Sequence, residues 1–333
     1  MIRKLIVAIL LIVVAIAGYF AYEIWLRSGT GSDVMVRIPE GAAFAEVLDS
    51  LEAAGLIGSR TAFKVLAVTT GNDDKIKPGT YKFAHGTSPP ELLEALVEGR
   101  STVKVKVTFP EGITIRRIAS IAAREAGCDS ATIVKLANDR EFLKTIGINA
   151  STAEGYLMPD TYFIYWGEKP ATLLRRMSEL FKEFYTDDLK KKAQALNLTP
   201  YEAIVLASIV EGEARVGRER DTIAGVYVNR LRRDMKLQAD PTIQYVIPDG
   251  PRPLLYRDLE IESPYNTYKY KGLPPTPINN PGRASILAAL SPVRHEYIYF
   301  VARADGTGAH TFSRNVREHE VAVRQYRARR DGQ

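Results

Sequence analysis

Three features of this 333-residue chain predict an α+β fold: a membrane-spanning N-terminal helix, then small strand-and-helix modules, then a mainly helical region with one short hairpin. The first is an uncharged run of 18 residues, Leu5–Tyr22, close to the start of the chain. The second is a pair of similar passages, each a short β pattern ending in Pro-Glu-Gly and followed by helical periodicity. The third is a strong helix-start signal at Thr199 that opens onto an almost wholly apolar run.

Taken in order, residues 1–4 carry Arg3 and Lys4 and are expected on the cytoplasmic side. Residues 5–26 form the spanning helix, since 18 apolar residues at about 1.5 Å each approach the thickness of a bilayer core. Tyr19, Phe20, Tyr22 and Trp25 supply an aromatic belt at the far end, and the positive flank orients the remainder outside the cytoplasm. A cleaved signal peptide is the alternative, with Ala15 and Ala17 in an A-x-A pattern, but the apolar run is long for one and ends in bulky residues. Residues 27–34 read as a flexible tether.

The paired passages follow. Val36-Arg-Ile-Pro-Glu-Gly41 precedes a helical pattern over 43–54, and Val107-Thr-Phe-Pro-Glu-Gly112 precedes another over 115–126. Each leads to a Thr-Tyr strand, at 79–83 and 159–164, and then to a helix that starts near a proline. We expect one module over 35–106 and a second, a possible diverged repeat, over 107–198. The first resembles the LysM class of glycan-binding modules.

Residues 199–333 carry the candidate chemistry. Thr199 is an N-cap, Pro200 occupies the first helical position and Glu202 closes a capping box. Ala203–Val210 are nearly all apolar, so the helix is expected to be buried, and it ends on Glu211 and Glu213. A carboxyl at a helix C-terminus in apolar surroundings is pushed toward its protonated form, which a general acid requires. Two positions apart, the pair face nearly opposite ways. Glu213 lies over Leu206, Ile209 and Val210 and is preferred; Glu211, over Ile204, Ala207 and Ser208, is a possible support. Two solvated acids at a fraying helix end would give the same letters.

After a break at 214–217, a second helix is expected over 218–234 with Ile223, Val226, Tyr227 and Leu231 on one face. The passage 247–281 is rich in Pro and Tyr and without clear periodicity, as functional loops are. Its Tyr and Asn residues suit sugars, aromatic faces covering C–H surfaces and amides bonding hydroxyls and acetamido groups. A helix over 283–289, a hairpin of 297–302 with 310–313 and a closing amphipathic helix complete the chain. His295 and His310 are expected at strand edges.

Composition narrows the classes. The single Cys128 excludes an internal disulfide and a cysteine metal cluster, and the four histidines show no metal-ligand spacing, so no metal and no cofactor are expected. Much of the excess behind the net charge of +6 lies in the C-terminal tail, and no basic motif with interleaved aromatics argues for nucleic acid.

Six segments together resemble the endolytic murein transglycosylases of the YceG-like type: Leu206–Glu213, Glu219–Asp221 with Val228–Leu231, Leu237–Thr242, Ser263–Tyr268, Gly272–Pro275 and His310–Phe312. Only Gly212 departs, standing where that family often has a charged residue. The resemblance implies an inner-membrane, single-pass protein with a periplasmic, lysozyme-like catalytic part. Such an enzyme cleaves the MurNAc–GlcNAc β-1,4 bond of nascent peptidoglycan strands, leaves a 1,6-anhydro end and stops strand elongation. Glu213 would be its acid/base and Gln238, Tyr265, Asn266, Asp240 and Tyr268 its substrate contacts, with penicillin-binding proteins and other cell-wall synthesis proteins as possible partners. One carboxyl suffices, because the sugar's own C6 hydroxyl attacks C1 and the same Glu first gives and then takes a proton. A hydrolytic muramidase using Glu213 with Asp240, and a non-catalytic peptidoglycan-binding scaffold, are the competing readings.

Overall fold

The computed structural model describes residues 33–84, 86–99, 103–248, 250 and 252–331, with seven isolated positions between residues 10 and 22. Most of the expected anchor at 5–26 and most of the tether lie outside these residues. Among the described residues no helix is long and apolar enough to cross a membrane.

The chain divides into two compact units. One takes the residues up to Lys106 together with Glu125–Cys128 and Phe163–Glu168; the other takes the rest. In the first, β1 (Val34–Ile38), α1 (Phe44–Ala53), α2 (Arg60–Thr69), β2 (Gly79–Phe83) and α3 (Pro89–Glu98) follow in sequence. β1 and β2 pair antiparallel, Val34 opposite Phe83 and Ile38 opposite Gly79. Alternation along the pair turns Val36, Ile38, Tyr81 and Phe83 inward, against Leu48, Leu51, Phe63, Leu92 and Leu96 of the helices. Tyr81 is fully buried, so its hydroxyl must find a partner: it donates to the Lys77 carbonyl at 2.6 Å.

The second passage runs strand, three helices, strand, helix, with one helix more between its strands than the first. β3 (Lys104–Thr108) is followed by α4 (Ile115–Ala126), α5 (Ser130–Leu136), α6 (Arg140–Thr145), β4 (Thr161–Tyr165) and α7 (Pro170–Phe184), and β3 pairs with β4. After α8 (Asp187–Ala195) comes α9 (Pro200–Glu213), the buried axis of the second unit. The capping box forms as expected: the Thr199 hydroxyl accepts from the Glu202 N–H at 3.1 Å, and Glu202 accepts from the Thr199 N–H at 2.7 Å. Every residue from Ala203 to Val210 is buried. Leu206, Ile209 and Val210 join Ile223 and Tyr227 of α10 (Arg220–Arg232) and Ile286 and Ala289 of a later helix in one core.

The remaining elements are α11 (Asp240–Val246), α12 (Arg283–Leu290), the antiparallel hairpin β5 (Tyr299–Ala302) and β6 (His310–Ser313), and α13 (Val316–Asp331). Helix α11 is absent from the sequence reading, which assigns no element between the second helix and residue 247; Pro241 sits in its first turn, where a missing N–H costs nothing. His295 lies outside both strands. Its ring is bonded to the Thr222 carbonyl at 2.9 Å and packs over Gly225 of α10.

Candidate active site

Helix α9 delivers Glu211 and Glu213 to different surroundings. Glu211 turns toward α12: its Oε2 accepts the Gly282 N–H at 2.9 Å, and Arg220 lies 3.7 Å from its Oε1. A carboxylate there satisfies an orphan N–H at the start of α12 and complements its dipole. Glu213 opens onto a groove of about 2010 Å³ lined by α9, α11, the segment 112–120, the passage 237–254 and the β5–β6 hairpin. Glu211 does not line this groove.

Burial dominates the chemistry of Glu213. Loss of solvent pushes its carboxyl up from 4.5 to about 7, and the negative Asp240 nearby adds to this. Hydrogen bonds from the Tyr227 hydroxyl and the Asp240 backbone N–H oppose it. The Tyr227 bond is 2.8 Å long. Tyr227 is itself buried, its ring set edge-on to Phe300 of β5 with centroids 5.9 Å apart. One carboxyl is thus poised near neutrality with a fixed donor on one side and the open groove on the other, which suits a group that gives and takes a proton in turn.

Gly212 permits this arrangement. A Cβ at position 212 would lie 2.6 Å from Cβ of Pro241, so a larger residue would force the start of α11, and with it Asp240, away from Glu213.

Gln238, Asp240 and Tyr268 also line the groove. Gln238 holds a left-handed backbone, φ 49°, with its N–H bonded to the Thr267 carbonyl at 3.0 Å. Arg230 fixes this turn from below, donating to the carbonyls of Lys236, Leu237 and Ile298 and to Gln238 Oε1. The Tyr268 hydroxyl donates to Asp240 Oδ1, which orients Asp240 at the rim.

Two expected contacts are placed elsewhere. The side chain of Asn266 is completely buried. It donates to the carbonyls of Leu259 and Ile261 at 2.9 and 2.8 Å and accepts the Tyr268 N–H at 2.9 Å, so it holds the loop that presents Tyr268 and does not face the groove. Tyr265 bonds Thr276 at 2.8 Å and packs on Tyr245 at 5.0 Å; it too is absent from the groove lining.

The structure gives roles to residues for which the sequence suggested none. Glu154, buried in the groove wall, accepts the Ile115 N–H at 3.1 Å and the Asn280 amide at 2.7 Å, and burial pushes it up to about 8. Glu219, in the 3₁₀ turn Gly217–Glu219, is buried against His310, whose N–H it accepts at 3.1 Å and whose Nδ1 lies 2.8 Å away; this pair fastens the turn after Glu213 to the hairpin. The 3.6-residue period betrays none of these partners, because each pair is far apart in sequence.

A groove with the near-neutral Glu213 carboxyl bonded to a buried tyrosine defines an acid–base site. The chain belongs to the YceG-like family, whose model matches residues 36–325. It is 30% identical over 336 residues to a Bacillus subtilis (strain 168) protein named endolytic murein transglycosylase, with 93% of this chain and 91% of that protein covered. A Streptococcus pneumoniae (strain R6) protein of the same name is 30% identical over 357 residues, covering 96% of this chain and 64% of the relative. The crystal structure of a YceG-like protein from Listeria monocytogenes superposes with a TM-score of 0.60 at 28% identity, covering 88% of this chain and 99% of that one.

Proposed function

We propose that this protein is an endolytic peptidoglycan lytic transglycosylase, anchored in the inner membrane by residues 5–26 with its catalytic part in the periplasm. The observation that carries the reading is Glu213, held near neutrality by burial and bonded to Tyr227 at the floor of an open groove. The names of the relatives at 30% identity support it. Protonated Glu213 gives its proton to the oxygen linking MurNAc to GlcNAc, and the C1–O bond breaks. The resulting carboxylate, stabilised by Tyr227 and the Asp240 N–H, then takes the proton of the C6 hydroxyl as that oxygen closes on C1, leaving a 1,6-anhydro end. The reaction consumes no water and needs no second carboxylate, and cutting inside a nascent strand ends its elongation. The first module, LysM-like in its order of elements, would grip the glycan, and cell-wall synthases such as penicillin-binding proteins are the partners this role calls for.

Asp240, on the groove beside Glu213, favours a second reading: a hydrolytic muramidase in which it activates water. Mass spectrometry of digested glycan strands separates the two, since transglycosylation leaves anhydro-MurNAc and hydrolysis leaves reducing MurNAc. Glu213→Gln should abolish both products while Glu211→Gln retains turnover. Full cellular function in a Glu213→Gln strain would instead support a non-catalytic scaffold.

A further inference from the structure

Five arginines line the groove, and they divide into two sets. Arg230 is buried and committed to three backbone carbonyls and Gln238, and Arg252 is paired in two bonds, at 2.6 and 2.9 Å, with Asp258. Arg116, Arg117 and Arg215 are different. All three are exposed, and among the described residues no hydrogen bond or ion pair engages their guanidinium groups.

Arg116 and Arg117 stand in the first turn of α4, which is not free to move: Glu154 holds the Ile115 N–H, Asn280 ties Glu154 to the Ile113 carbonyl, and the Thr114 hydroxyl accepts the Arg117 N–H at 3.4 Å. The carboxyl that Arg116 acts on electrostatically is Glu154, which burial keeps largely protonated at neutral pH, so it does not cancel the arginine charge. Of the other carboxyls on the groove, Glu213 is near its midpoint at pH 7 and Asp240 is engaged by Tyr268. A groove serving only neutral sugars gains nothing from uncommitted guanidinium groups, whose planar forks match carboxylates.

We propose that Arg116 and Arg117, with Arg215, recognise carboxylate groups carried by the glycan strand, so that the groove takes acidic strands in preference to neutral sugar polymers. This rests on the groove being the glycan site. The carboxylates have two sources: the lactyl group of each MurNAc, and the peptide stems attached to it.

The test is equilibrium binding of the full-length Glu213→Gln protein, in non-ionic detergent, to three probes: neutral N-acetylglucosamine oligomers, peptide-free glycan strands and peptide-bearing strands. The expected result is tighter binding of charged probes, weakened by salt. Adding Arg116→Ala and Arg117→Ala should cut the preference by about fivefold, from two exposed charge contacts, while Arg116→Lys with Arg117→Lys keeps most of it. A preference already full with peptide-free strands assigns the arginines to the lactyl group; one that appears only with peptides assigns them to the stems. Equal binding of all three probes, or a preference untouched by the double alanine change, overturns the inference. If no probe binds at all, the reading of the groove as a glycan site fails first.

Discussion

Replacing Glu213 with Gln should stabilise the fold at alkaline pH, and the size of the gain follows from its surroundings. The folded-state value of about 7 lies above the 4.5 of an unburied glutamate. Below pH 4.5 folded and unfolded chains both hold the proton, and there is no penalty. As pH rises from 4.5 to 7 the unfolded chain releases the proton while the folded one retains it, and folding stability falls; above 7 the full loss is present. At 1.36 kcal/mol per unit this is about 3 kcal/mol, and because part of the side chain opens on the groove we take about 2 kcal/mol. Glutamine does not titrate. The pH-independent cost of its altered hydrogen bonds cancels when the two proteins are compared at two pH values. Urea unfolding of both at pH 4 and pH 8 should show the variant gaining about 2 kcal/mol on the wild type across that interval. A gap that does not change with pH, or one that moves against the variant, refutes the account of Glu213 as a buried, reluctantly ionised acid.

Three further outcomes are expected. Tyr227→Phe removes a donor that favours the charged form of Glu213; such a bond is worth about 1.5 kcal/mol, so the alkaline limb of kcat/KM on glycan strands should move up by about one pH unit, and a limb that stays or moves down counts against the assignment. Gly212→Ala should lower kcat at least about tenfold through displacement of Pro241 and Asp240, with the far-ultraviolet circular dichroism unchanged. Asn266→Ala should cost about 2–4 kcal/mol in thermal unfolding by stranding two buried carbonyls and an N–H; wild-type stability with weakened glycan binding would instead make it a sugar contact.

The capping box at Thr199, the buried run behind it and the opposite facing of Glu211 and Glu213 were legible in the sequence, because helix phase and capping depend on neighbours within a turn. Tyr227 was visible as an apolar-face residue, but its bond to Glu213 exists only once α9 and α10 pack. Asn266 shows the limit from the other side. An amide among tyrosines fits sugar recognition and loop fastening equally well, and only the positions of Leu259 and Ile261 decide for the second. Helix α11 was hidden because Asp-Pro-Thr opens turns and helices alike.

Asn280 has consequences for how the groove comes into being. Its side chain bonds the Ile113 carbonyl, Glu154 and the N–H groups of Gly155 and Leu157, and its backbone bonds Ile113 and Gly112. The wall that bears Arg116 is therefore stitched to the loop before α12 across more than 120 residues of chain. During vectorial synthesis Glu213 emerges well before this clasp can close, so the nascent protein has its acid without its groove. A fragment cut at Thr199 would share that condition permanently, retaining the helix that carries Glu213 while Asn280 is left holding nothing.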